Sequence, residues 1–208
     1  MTKIKICGIT NLKDARAAVK LGVDYLGFIF YPKSPRYIKP EKASNIIRQL
    51  PKKIKTVGVF VDEGVGAVKK IAEITGIKLL QLHGDESQAY CKKFKMPIIK
   101  AFRIKDNFDI DRIKKYNVNF FLIDTYSPSK FGGTGKIFDW VIASRLNRFR
   151  KNIFLSGGLN PENVALAIKK IHPFAVDVSS GVERAPGKKD NKLMKKFVIN
   201  VRTGGSVS

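Results

Sequence analysis

Lys3-Ile4-Lys5-Ile6-Cys7-Gly8-Ile9-Thr10 reads as a short apolar strand that ends on a cysteine and breaks at a glycine. This run decides the fold because the unit it opens, strand then loop then helix, recurs along the chain. Further apolar runs begin near Asp24, Lys55, Lys78, Pro97, Asn119, Asn152 and Phe174. Each is rich in Ile, Val, Leu and Phe, as strands buried on both faces are. Helical patterns fill the gaps, over 11–21 behind a Thr10 cap, 40–50, 65–74, 86–94 behind Asp85, 108–116 and 138–146. Another opens at Asn160-Pro161-Glu162, where a cap, a proline and an acid meet the first turn. The last covers about 191–201, behind Asp190.

Strands alternating with helices in this way predict the α/β class and a single (β/α)8 TIM barrel. The barrel is expected over 1–202, with 203–208 as a frayed tail. An open doubly wound sheet is the competing architecture. Its dinucleotide turn is Gly-x-Gly-x-x-Gly, and Cys7-Gly8-Ile9-Thr10 is not that turn.

The 208 residues suffice for one full core, and a hydrophobic content of 44% argues against disorder. No apolar run is long enough to span a bilayer, and no leader pattern precedes the first strand, so a cytoplasmic protein is expected. Cys7 and Cys91, the two cysteines, form neither a disulfide framework nor a metal motif. The net charge of +23 raises the question of nucleic acid. The lysines, however, are spread over every helical segment, with no basic arm or aromatic-interleaved patch. They read as a solvated coat whose field also attracts anionic metabolites.

In a closed parallel barrel, chemistry sits at the C-terminal strand ends. Cys7 ends the first strand, where a thiol is a candidate base or nucleophile. Asp124 ends the sixth, as a candidate general acid. After strand two, the prolines of Tyr31-Pro32-Lys33-Ser34-Pro35-Arg36-Tyr37 stiffen a loop carrying Arg36, which can grip a carboxylate with two parallel hydrogen bonds. Gln81 and His83 alternate with Leu82 and so share one face. Ser156-Gly157-Gly158-Leu159 and Ser179-Ser180-Gly181-Val182-Glu183 follow the last two strands, where barrels recurrently bind phosphate through backbone N–H groups. Phe131-Gly132-Gly133-Thr134-Gly135-Lys136 is a glycine-packed loop expected to close over a ligand. His172, Cys91 and Trp140 read as structural.

Taken together, Lys5-Ile6-Cys7-Gly8-Ile9-Thr10, Ser34-Pro35-Arg36, Gln81-Leu82-His83-Gly84, Asp124, Gly132-Gly133-Thr134-Gly135, both glycine loops and Pro186-Gly187-Lys188-Lys189-Asp190 resemble the phosphoribosylanthranilate isomerase family of tryptophan biosynthesis. The resemblance runs from residue 3 to about 200. It departs in the glycines at 64 and 66 and in the high lysine content.

The resemblance implies an Amadori rearrangement of N-(5-phosphoribosyl)anthranilate, with Asp124 as acid and Cys7 as base. It implies substrate contacts from Arg36, Gln81, His83, Gly133 and Asp177, and phosphate held by Gly157, Gly158, Ser179, Ser180 and Gly181. No metal or redox cofactor is implied, no nucleic-acid or membrane partner is expected, and monomer and homodimer both remain open. The related histidine-pathway isomerase is expected to carry aspartate in place of Cys7 and a duplicated phosphate loop. Indole-glycerol-phosphate synthase needs an added N-terminal segment. A basic nucleic-acid-binding protein on a barrel scaffold is the reading from another class.

Overall fold

The computed structural model describes residues 1–103, 111–124 and 152–204. Eight parallel strands close into a barrel: β1 (Lys3–Ile6), β2 (Tyr25–Ile29), β3 (Lys55–Phe60), β4 (Leu79–Leu82), β5 (Ile98–Arg103), β6 (Phe120–Asp124), β7 (Asn152–Ser156) and β8 (Ala175–Val178). Closure is direct, since β1 pairs with both β2 and β8. All eight lie where the apolar runs place them. Alternation then sorts each strand's side chains. Ile4, Ile6, Leu26 and Phe28 face outward into the layer shared with the helices. Tyr25, Val57, Leu79, Ile99, Leu122 and Phe154 pack together inside the barrel. Edge-on contacts of the Phe154 ring with Tyr25 (5.2 Å) and Phe120 (5.5 Å) plug the lumen below the site.

The described helices are α1 (Leu12–Lys20), α2 (Pro40–Ile47), α3 (Val65–Thr75), α4 (Gln88–Cys91), α5 (Asp111–Lys114), α6 (Val164–Ile171) and α7 (Asn191–Thr203). Several starts differ from the sequence expectation. Asn11, not Thr10, caps α1 by accepting from Asp14 N, because the Thr10 hydroxyl donates to Gly187 O instead. α4 begins at Gln88 behind Ser87, not at Glu86 behind Asp85. The Glu86 carboxylate is held by Lys100 and by the backbone N–H groups of Asp62 and Gly84, which keeps its residue out of the helix. α6 starts after the Asn160-Pro161-Glu162 turn. There the Asn160 side chain accepts from Glu162 N and Asn163 N, and the Asn163 side chain accepts from Asn160 N. Such local side-chain bonds compete with helix. α6 ends at His172, which takes the left-handed region (φ 48°) as its cap.

Asp190 caps α7 as expected, and that helix continues to Thr203, one residue past the expected boundary. Between β8 and α7 lies a hairpin, β9 (Glu183–Ala185) and β10 (Lys188–Lys189), turning on Pro186 and Gly187. Gly187 takes a positive φ (73°), which a side chain disfavours. The expected helices over 108–116 in part and 138–146 in whole, the Phe131–Lys136 loop with Gly133, and Trp140 lie outside the described residues.

Candidate active site

The site grows from the alternation of β1. Ile4 and Ile6 face the helices, so Lys5 and Cys7 face the lumen, and Cys7 N extends the ladder by donating to Val178 O. Cys7 is 6% exposed and Lys5 is fully buried. The Lys5 ammonium donates to Asp177 Oδ1 at 2.9 Å, across the β1–β8 register that pairs the two residues, and its charge acts on the Cys7 thiol two places along the same face. Burial acts to lower the Lys5 pKa. The charges of Asp177 and Cys7 outweigh it, so Lys5 is held above its ordinary value and carries its proton. Burial pushes the Cys7 thiol up. Lys5 is the largest opposing influence, Asp177 adds to the rise, and Lys189 works against it.

The space for the sulfur comes from β2. A Cβ at Gly27 would stand 2.7 Å from Cys7 Sγ and 3.1 Å from its Cα, so only glycine admits the thiol there.

Across the lumen, β4 and β6 supply the second half. Gln81 and His83 share the lumen face of β4, and His83 N continues the ladder to Phe60 O. Gln81 Nε2 lies 2.8 Å from His83 Nδ1, and His83 Nε2 lies 3.4 Å from Asp124 Oδ2. In this arrangement the amide donates to Nδ1, which leaves the imidazole proton on Nε2, aimed at the carboxyl. Cys7 and Asp124 thus end their strands at the same mouth, both on the lumen side.

The phosphate-loop residues meet beside Cys7. Gly157 and Gly158 take positive φ (97° and 66°), and Ser180–Val182 forms a 3-10 turn. Gly181 presses on the Leu159 carbonyl, which joins the two loops. Ser179 Oγ donates to Cys7 O at 3.2 Å. Gly8, with φ 76°, lets the Arg36 stem and Ser179 approach.

Two residues have partners that the order of the chain does not reveal. Asp177, expected against the substrate, is 5% exposed, close to the 6% of Cys7, and its Oδ1 accepts from Lys5. Arg36 is paired within the chain. Its Nε bonds both Glu183 oxygens at 3.0 Å and its Nη2 bonds Oε2 at 2.7 Å. Glu183 in turn binds the buried Lys189 ammonium at 2.8 Å, and Lys189 also donates to Ser179 O and Cys7 O. Burial alone would raise the Glu183 carboxyl. Hydrogen bonds from Arg36 and Lys189, with their charges, hold it below its usual range.

Lys5, Glu183 and Lys189 escaped the sequence reading. A signal existed for Lys5: a lysine two places before the candidate base, in mid-strand, shares its face. Among the described residues no three His, Cys, Asp or Glu side chains cluster to hold a metal ion.

The sequence profile of the N-(5'-phosphoribosyl)anthranilate (PRA) isomerase family matches residues 4–200. The N-(5'-phosphoribosyl)anthranilate isomerase of Geobacter sp. (strain M21) is 48% identical over 202 residues, 97% of this chain and 98% of the relative. The crystal structure of phosphoribosyl anthranilate isomerase from Thermotoga maritima superposes with a TM-score of 0.89 at 45% identity, covering 98% of this chain and all of that one. A further phosphoribosyl anthranilate isomerase, solved in complex with reduced 1-(o-carboxyphenylamino)-1-deoxyribulose 5-phosphate, is 41% identical with a TM-score of 0.87, over 98% of this chain and all of that one. The match runs through the strand ends that carry Cys7, Arg36, His83, Asp124 and both glycine loops, and on these grounds the chain belongs to the N-(5'-phosphoribosyl)anthranilate isomerase family.

Proposed function

We propose that this chain converts N-(5-phosphoribosyl)anthranilate to 1-(2-carboxyphenylamino)-1-deoxyribulose 5-phosphate, with Asp124 as general acid and Cys7 as general base. The observation that carries the reading is the division of the lumen mouth. A buried thiol beside an ammonium lies on one wall, and an imidazole–carboxyl pair lies on another. Asp124 protonates the furanose ring oxygen, and the C1–O bond breaks to give a protonated Schiff base. Cys7 as thiolate removes the proton on C2. The C–H pair becomes the C1=C2 bond, and the C1=N π pair passes to nitrogen. The resulting enolamine loses its hydroxyl proton and gains one at C1, which leaves the C2 ketone. Electrons move only within the substrate. Such a shift needs one acid and one base, placed apart, each in the right protonation state.

The phosphate is assigned to Gly157, Gly158, Ser179, Ser180 and Gly181, whose loops are already packed together. The anthranilate carboxylate is assigned to Arg36. Glu183 engages Nε and Nη2, which fixes the guanidinium plane and leaves Nη1 for the substrate. His83 and Gln81 orient Asp124, and Gly133 is assigned to the substrate from the resemblance. Asp177 is assigned to the substrate from the resemblance, with its Oδ1 also held by Lys5. A cytoplasmic setting agrees with two free buried cysteines, and no described helix is long and apolar enough to cross a membrane.

The test is turnover of the authentic substrate by the purified protein. Cys7→Ala and Asp124→Asn are each expected to lose at least about 10²–10⁴-fold in kcat with circular dichroism unchanged. A folded variant that turns over at the wild-type rate overturns that residue's role. Arg36→Ala is expected to raise KM more than it lowers kcat.

A further inference from the structure

We propose that Lys5 is the positioning residue of the Cys7 base: its buried ammonium favours the thiolate against the burial that keeps the sulfur protonated, and Asp177 sets how much of that charge the sulfur feels. This rests on the reading of Cys7 as the base and extends it to the buried ion pair beside the sulfur.

Three observations support it. First, Lys5 and Cys7 are two places apart on one strand, and ladder bonds on both sides of β1 fix their relation. Second, a fully buried lysine must be paired, and among the described residues this one donates to a carboxylate at 2.9 Å, with the Cys7 thiol beside it on the same lumen face of β1. No backbone oxygen takes a Lys5 proton there, so a share of its charge is directed at sulfur. Third, β2 lies against the sulfur at Gly27, where a Cβ would stand 2.7 Å from Sγ, so the thiol is packed into the lumen wall.

The charged groups facing the sulfur are Lys5 from β1, Asp177 from β8 and Lys189 from β10, while β2 contributes an uncharged glycine. Lys189 is bound to Glu183 and to backbone oxygens. Lys5 therefore exerts the larger pull on the thiolate, as the ordering of influences on Cys7 requires. When the thiolate takes the C2 proton it becomes neutral, and Lys5 keeps its proton because Asp177 still pairs with it. The Lys5–Asp177 pair is thus unchanged through the turnover, and only the sulfur gains or loses charge.

The experiment is a titration of Cys7 followed by the ultraviolet absorbance of the thiolate, in full-length protein. Cys91→Ser serves as background, so that Cys7 is the remaining thiol. Lys5→Met is expected to move the midpoint up by at least about one pH unit, a tenfold fall in thiolate at fixed pH. Because that variant leaves Asp177 unpaired and can fail to fold, Lys5→Met/Asp177→Asn is titrated beside it. With both charges gone, its midpoint is still expected above the wild-type value. Asp177→Asn alone is expected to lower the midpoint, because the ammonium then serves the sulfur alone. In each protein the acid limb of kcat/KM is expected to follow the midpoint, which a purely structural role would not produce. A double variant whose midpoint equals or falls below wild type overturns the proposal. A Cys7→Ala protein that still turns over overturns the base reading instead, whatever the titration gives.

Discussion

Two of the buried lysine–carboxylate pairs in this barrel do different things. Lys5–Asp177 lies in the lumen at 2.9 Å, and Lys100–Glu86 lies between β5 and the outer layer at 2.7 Å. Lys100 spends its ammonium on Glu86 and on the carbonyls of Leu82 (3.3 Å) and Gly84 (2.7 Å). Glu86 answers with bonds from Asp62 N and Gly84 N. The hydrogen bonds of this pair all run to oxygens or from backbone N–H groups, so it is a clamp that ties the loops after β3 and β4 together. Lys5 instead sets its ammonium between a carboxylate and the thiol assigned as the base. The comparison teaches that burial and pairing alone do not mark a functional ion pair. What marks it is an acceptor that chemistry has to charge and discharge.

The largest effect that would break this contrast is on stability. Lys100→Met leaves Glu86 buried and unpaired, and urea unfolding is expected to show a loss of about 3–5 kcal/mol. The protein that remains folded should keep the wild-type pH–rate profile. A shifted acid limb in Lys100→Met would erase the distinction between clamp and positioning pair.

Gly27→Ala sharpens the other side. Its methyl group meets the Cys7 sulfur and backbone at once, so the thiol must be displaced. A displacement near 1 Å costs on the order of 10²-fold in kcat. Overpacking adds about 1–3 kcal/mol of instability. Activity equal to wild type would mean the sulfur has room that the structure does not give it.

A smaller, pH-dependent effect belongs to the Arg36–Glu183–Lys189 cluster. The folded-state pKa of Glu183 lies below its ordinary value, so its contribution to stability is present above that ordinary value. It is lost as pH falls through the lower, folded one. Thermal unfolding of the wild type should therefore weaken in acid more than that of Glu183→Gln. Parallel curves would exclude the cluster as an acid-labile tie.

The smallest effect is a control. Gly66 sits in the first turn of α3 with open space where a Cβ would go, so Gly66→Ala is expected to stabilise by about 0.5–1 kcal/mol without touching kcat.

These residues also show what can be read from sequence alone. The strands were legible because buried parallel strands are near-continuous apolar runs. Cys7, Asp124 and the glycine loops were legible because their places in the order of strands carry meaning. The Lys5–Asp177 pair was not, since its members lie 172 positions apart and meet only when β8 closes on β1. Lys189 and Glu183 were hidden for a similar reason, because the hairpin must fold back onto the β1 end before they gain partners. The helix starts near Glu86 and Asn160 were misplaced because local cap rules know nothing of Lys100, or of two asparagines that bond the same turn reciprocally.

The most direct test of the account is a single-turnover measurement on Cys7→Ala with substrate deuterated at the C2 carbon of the sugar. The account predicts that the variant binds the substrate, leaves the deuterium in place and forms no ketone product. Loss of deuterium from C2 at a rate near that of the wild type would contradict it.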